Sequence, residues 1–451
     1  MEKHVNTFTE GKIFAPLMRF ALPVLAALFL QSMYGAVDTL IVGQFADAAG
    51  VSAVSTGSQL MATLTFVIVG IAMGTTVMIG QSIGEGNKAK ADAVAGTSVA
   101  LFAVIGLVFA IGVQPLAEPL ARLLKAPEEA FEGTVEYVRI CSAGMILIVA
   151  YNLIGSVFRG IGNSKLPLIT VAIACVVNIL GDLLMVAVFK MGAAGAAIAT
   201  VFAQGVSVAL SIMIMKKQGM PFKLTRQNIR FDKKLIGGIF KLGAPIALQD
   251  LLVSASFLAI TAIVNNIGLI QSAGLGVAER VCGFVMLVPS AFSQSMSAFV
   301  AQNIGARRVD RAKKALWCGV GASLAVGVFI GYFSFFHGDV LTGIFTNDTA
   351  VALAGADYLK AYAIDTIFTS FMFCFSGYFN GCGRTTFVMA QGIVGAFLVR
   401  IPVSYIMSGI QPVTLFKIGL ATPASTLVQI FLCVGYFIIL NRKQKIMDGQ
   451  L

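Results

Sequence analysis

The sequence predicts an all-α integral membrane protein of twelve transmembrane helices in two pseudo-symmetric six-helix bundles, and three observations carry that expectation. Of its 451 residues 57% are hydrophobic and 12% charged, too little polar surface to cover a soluble globule of this size. Apolar runs in series, among them 94–113, 144–158 and 424–440, approach or reach the roughly 20 residues that cross about 30 Å of hydrocarbon. Separate landmarks recur at one spacing along the chain, the signature of an internal duplication.

Apolar runs and their breaks place helices near 14–42, 51–79, 92–114, 135–158, 166–189 and 192–215. A second set follows near 236–264, 273–300, 315–336, 357–380, 386–409 and 415–440. The first run is longer than a signal-peptide core and lacks a small-residue cleavage site, so it reads as a retained helix. The domains expected are an amino-terminal six-helix lobe (1–215), a basic cytoplasmic linker (216–235) and a carboxy-terminal six-helix lobe (236–451).

A net charge of +11 would suggest nucleic acid in a soluble protein. Here its distribution follows membrane orientation instead. With both termini cytoplasmic, Lys88, Lys90, Arg159, Lys165, the basic residues of 216–241 and of 307–314, Arg384 and those of 442–445 fall on one side. The opposite loops carry Asp47, Glu118, Glu128, Glu129, Asp339 and Asp348. This is the positive-inside pattern of a multi-pass protein of the plasma membrane in a bacterial or archaeal cell. Seven cysteines without a C-x-x-C pair, and two histidines, point to neither a disulfide framework nor a metal centre.

A slide of about 221 residues lays F-R-G-I-G at 158–162 on F-N-G-C-G at 379–383. Gln81 and Gly84 then fall near Gln302 and Gly305, Tyr137 and Arg139 on Tyr358 and Lys360, and Pro23 within a residue of Pro245. Copies with an even number of spans share one orientation and are related by an axis along the membrane normal, an arrangement common in transporters.

Ionisable groups inside apolar helices cost several kcal/mol and demand a reason. Asp38 lies roughly 28 Å of helix rise beyond Arg19, and Asp182 roughly 12 Å before Lys190. Asn178 shares the helix face of Asp182, and Thr200 on the next helix reaches a similar depth. Two carboxylates, an amide and a hydroxyl suit a sodium ion, while burial and like charge suit a carried proton. The plainer roles are a helix cap for Asp38 and packing for Asn178 and Asp182. Gln31 and Tyr34 continue the face of Asp38 and, with Asn152, Gln249 and Asp250, mark a substrate pathway. Pro23 removes a hydrogen bond from the first helix and makes a hinge there. Glu279 and Asp365 are compatible with helix starts, and Arg280 and Arg400 with structural roles.

Pro23, Tyr34, Asp38, V-G at 42–43, F-R-G-I-G-N and the Asn178/Asp182 pair together resemble the multidrug and toxic compound extrusion (MATE) family over nearly the whole chain. The resemblance implies two six-helix bundles around a central cleft and export of cationic or amphipathic compounds by H+ or Na+ antiport through alternating access. Partners would be those small molecules and membrane lipid, with no nucleic acid, no cofactor and a monomeric chain. Within the family it looks most like the DinF-like branch, whose cation site maps onto Asp38, Asn178, Asp182 and Thr200. The NorM-type glutamate about ten residues after the proline of the seventh helix is replaced here by Ser254 and Ala255. A flippase for a lipid-linked sugar, of the same wider superfamily, would need a more cationic cleft than one in which buried acids outnumber buried bases. An enzyme is not expected, since no nucleophile–base pair or H-E-x-x-H arrangement appears.

Overall fold

The computed structural model describes residues 8–218, 225 and 227–447. Long apolar runs become helices because hydrocarbon offers the backbone no hydrogen-bond partner outside its own segment. In chain order they are α1 (Phe14–Phe45), α2 (Ala48–Gly84), α3 (Lys88–Leu123), α4 (Glu128–Ala143 and Met145–Gly160, bent by 55°), α5 (Lys165–Val188) and α6 (Gly192–Gln218). The second series is α7 (Lys233–Asn265), α8 (Leu269–Gly305), α9 (Val309–Phe336), α10 (Thr349–Gly381), α11 (Thr385–Ser408) and α12 (Leu415–Arg442). Among the described residues ten helices are long and apolar enough to span a membrane, and the bent α4 makes an eleventh. The remaining one, α10, has the length at 33 residues but carries Asp357, Lys360 and Asp365.

Several helices outrun their apolar runs because capping residues, rather than hydropathy, set their ends. Asp47 caps α2 by accepting from the Gly50 amide at 2.8 Å. Asp348 does the same for α10 through Ala350 and Val351, so that helix starts at Thr349 and not near 357. The placement of Asp365 at a helix start is thereby corrected: it lies in the middle of α10. Glu279 is likewise well inside the first segment of α8, which starts at Leu269. Two turns are π-wound, Leu183–Val188 in α5 and Val394–Arg400 in α11.

The chain divides into two compact units. The first holds Met1–Gly11, Met18–Ala247 and Ala301–Arg308, and the second Lys12–Leu17, Leu248–Val300 and Val309–Leu451. Inside the first, Ala53, Phe102, Tyr137 and Met145 belong to one buried core; inside the second, Ile260, Leu275, Tyr358 and Ile418 do. Large apolar residues such as Leu107, Ile111, Leu180, Phe329 and Leu398 stay exposed, as a surface facing lipid requires.

The repeated F-x-G-x-G landmark is explained by what it builds. Asn163 donates to the Phe158 carbonyl at 2.9 Å and Arg384 to that of Phe379 at 2.8 Å, which closes α4 and α10 with the same left-handed glycine cap. The capping glycines are Gly162 (φ +84°) and Gly383 (φ +74°). The preceding glycines are close-approach points within their units: a Cβ on Gly160 would meet the Thr76 carbonyl oxygen at 2.9 Å, and one on Gly381 the Ser297 carbonyl oxygen at 2.7 Å. Thr76 and Ser297 are themselves repeat partners.

A Cβ in the left-handed region costs about 1–2 kcal/mol per residue. Gly162→Ala and Gly383→Ala should therefore each lower the thermal unfolding midpoint of detergent-solubilised protein by comparable amounts. Gly343→Ala, a glycine with open space around it and an ordinary φ, serves as the control and should leave the midpoint nearly unchanged.

Candidate functional site

Asp38 on α1, Asn178 and Asp182 on α5, and Thr200 on α6 come together in the first unit. Asp38 is 5% exposed, and Asn178 and Asp182 are fully buried. The Thr200 hydroxyl donates to Asp38 Oδ2 at 3.5 Å, and Asp182 and Asn178 are the other polar side chains that act on the same carboxyl. Local sequence makes the convergence possible. Gly181 and Ala199 face each other so closely that a Cβ on the glycine would sit 3.0 Å from the Ala199 Cβ. The small pair lets α5 and α6 approach, and the residues that follow each, Asp182 and Thr200, are carried towards α1. The π-wound turn begins directly after Asp182, the kind of local irregularity that recurs at functional sites.

The site is polar but incomplete. Asp38 Oδ1, both Asp182 oxygens and both amide atoms of Asn178 are buried without a hydrogen-bond partner among the described residues. Neighbouring ionised carboxylates repel, by about 4 kcal/mol for any two unit charges at about 4 Å and an effective dielectric of about 20, before the cost of burying either charge. A proton shared between the acids, or a small cation held by carboxylate, amide and hydroxyl oxygens, removes the repulsion and satisfies the orphaned atoms. Both occupants suit this donor set, which holds two carboxylates and no histidine or thiolate ligand. No cluster of three or more His, Cys, Asp or Glu side chains able to hold a metal occurs among the described residues.

The other expected site residues do not join this cluster. Gln31 of α1 donates to the Tyr151 hydroxyl at 2.7 Å, a pairing with α4 that hydropathy gave no means of seeing. The Tyr34 side chain lies outside the described residues. Asn152 turns back on its own helix and donates to the Ile148 carbonyl at 2.8 Å. Gln249 and Asp250 are half-buried in the second unit, where Gln249 packs on Gly392. Pro23 sits inside α1, which runs unbroken past it.

The second unit holds a cluster of its own. Arg400 is 5% exposed, donates from Nη1 to Ser256 Oγ at 2.9 Å and lies 4.3 Å over the Phe257 ring. Asp365, 1% exposed, is a buried carboxylate whose charge bears on Arg400. Beside them a cavity of about 260 Å³ is lined by Thr261, Glu279, Cys282, Met286, Tyr358 and Tyr362 among others, with Thr261 donating to Glu279 at 3.3 Å.

The family model described as MatE matches residues 23–184 and 245–406, most of the chain in two equal copies. The protein named "Probable multidrug resistance protein YoeA" of Bacillus subtilis (strain 168) is 26% identical over 450 residues, covering 97% of this chain and 96% of that protein. "Multidrug export protein MepA" of Staphylococcus aureus (strain MRSA252) is 23% identical over 92% of this chain and 91% of its own. Among solved structures, the one named "Crystal structure of MATE in complex with MaL6" superposes with a TM-score of 0.92 at 19% identity, covering 98% of this chain and 100% of that one.

An occupant that binds only the folded chain stabilises it, by about 2.7 kcal/mol at a hundredfold excess over its dissociation constant. The purified protein should therefore melt at a higher temperature either as sodium replaces choline or as pH falls. Asp182→Asn should flatten whichever response is seen; a response of wild-type size in that variant would separate Asp182 from the site.

Proposed function

This chain belongs to the MatE family, and from that premise we propose that it is a secondary active exporter of cationic or amphipathic small molecules. It exchanges them for a proton or a sodium ion by alternating access, with Asp38, Asn178, Asp182 and Thr200 as the coupling site. The observation that carries this reading is the pair of facing, buried carboxylates with unpaired atoms, a site that is stable only when something positive completes it. The names of the relatives, a probable multidrug resistance protein and a multidrug export protein, support the substrate class.

Coupling follows from the electrostatics of the site. With the ion bound, α1 is held against α5 and α6 through Asp38. Without it, repulsion from Asp182 favours an arrangement in which Asp38 moves away, and Pro23 supplies a point in α1 where the hydrogen-bond ladder is already broken. A ligand shifts such an equilibrium only by its differential affinity for the two states, and the acid pair provides that difference. Gln31 and Tyr34, on the same helix as Asp38, belong to the pathway whose shape this movement changes, and Asn152, Gln249 and Asp250 extend it. The termini lie in the cytoplasm of the cell whose plasma membrane the monomer spans, and its site residues align it with the DinF-like branch.

Reconstituted in liposomes, the wild type should transport a fluorescent cationic dye when a pH gradient or a sodium gradient is imposed. Asp38→Asn should reduce that transport to the level of protein-free vesicles while leaving helical content and monodispersity unchanged. Gradient-driven transport of wild-type size in Asp38→Asn would refute the assignment.

A further inference from the structure

The two copies can be set in register through the site itself. Val399-Arg400-Ile401 and Met407 in α11 repeat Val177-Asn178-Ile179 and Met185 in α5, and Thr261, Ile263 and Val264 in α7 repeat Thr39, Ile41 and Val42 in α1. The family matches beginning at 23 and 245 keep the same register. Between α5 and α11 it runs one residue beyond that of the glycine motif because the π-wound turn of α11, Val394–Arg400, ends at the matched position, whereas that of α5, Leu183–Val188, comes after it. On the last helices Ala424-Ser425 and Gln429 repeat Ala199-Thr200 and Gln204.

In this register Asp38 becomes Ile260, Asn178 becomes Arg400 and Asp182 becomes Ser404; on the last helices, where the spacing widens by three residues, Thr200 becomes Ser425. The counterparts are as buried as the originals, with Ile260, Ser404 and Ser425 at 0% and Arg400 at 5%. One place in the fold thus carries two acids in the first half and a single guanidinium in the second. Around Arg400 stand Ser256 and Phe257 on α7, Glu279 and Cys282 on α8, and Asp365, Tyr358 and Tyr362 on α10. The ionisable set is two carboxylates, one permanent cation and neutral thiol and phenol groups. Asp365 Oδ1 and Arg400 Nε have no direct hydrogen-bond partner among the described residues.

We propose that Arg400 is a resident cation: in the second half it takes the position that the coupled ion takes in the first, and so keeps that half from binding a coupling ion. Guanidinium does not lose its proton and cannot diffuse away, so the occupancy is fixed where the first half is exchangeable. The number of ions coupled to each export event is then set by the Asp38–Asp182 site alone. This rests on the reading of that site as the coupling site.

The experiment counts bound ions in full-length protein in detergent, by equilibrium binding of 22Na+ and by proton uptake on acid titration, always as differences between variants. Arg400→Gln should bind one more sodium ion or proton per chain than the wild type, because Asp365 has lost its cation. Arg400→Gln combined with Asp365→Asn should return to the wild-type count. A well-folded Arg400→Gln with no gain overturns the proposal. A second measurement leaves Arg400 intact: in Asp38→Asn/Asp182→Asn no specific sodium binding should survive, and in that background Asp365→Asn should remove neither a sodium ion nor a proton. A site lost with Asp365 would show that the second half binds an ion despite Arg400. The two readings fail separately, since a gain in Arg400→Gln with no loss in Asp38→Asn would sink only the coupling role of Asp38.

Discussion

Two carboxylates buried side by side between helices cannot both stay ionised and unpaired, and the rest of the structure is arranged around that constraint. Asp38 and Asp182 meet because Gly181 and Ala199 let α5 and α6 close on each other. Thr200 contributes one hydrogen bond to Asp38, and Asn178 stands beside it with its amide unspent. An apolar bundle would be more stable with aliphatic residues at these positions, since a buried pair that lacks a neutralising partner costs several kcal/mol. In the proposed mechanism, a cost of that size held in one spot makes the arrangement of α1 sensitive to the binding of a single positive charge.

Duplication supplied the frame in which this happens. The glycine motif ends α4 and α10 with the same cap and the same close approach, to Thr76 in one unit and to Ser297 in the other. The backbone devices have stayed alike while the buried charges have diverged. Where the first copy keeps two acids and an amide, the second keeps isoleucine, serine and arginine, and its own acids, Glu279 and Asp365, stand at positions with no acidic counterpart in the first copy. Two similar folds therefore carry different buried charges, an acid pair in one and a guanidinium with its own acids in the other.

The spans were legible because lipid imposes a length and a composition that hydropathy reads directly, and the repeat was legible because a left-handed cap tolerates little besides glycine. The four residues of the site could be grouped by depth along their helices, and helix rise alone brought Asp38, Asn178, Asp182 and Thr200 to one level. Helix ends were less legible, because α10 begins where Asp348 caps it, before the apolar run, and this hid Asp365 in mid-helix. Pairing across helices left no trace in hydropathy, so Tyr151 as the partner of Gln31 and the cluster around Arg400 emerged only from packing. The π-wound turns were equally silent. Each shifts the repeat by one residue, which is why a slide tuned to the glycine motif passes Arg400 by a single position.

If one positive charge completes the acid pair and substrate release depends on it, ion and substrate must weaken each other's binding by the same factor. The direct measurement is the equilibrium affinity of purified protein for a fluorescent cationic dye at stepped sodium concentrations and stepped pH. The account predicts that affinity falls as the coupling ion rises, and that Asp182→Asn abolishes the dependence. Dye affinity indifferent to both ions, or a dependence that survives in Asp182→Asn, would contradict it.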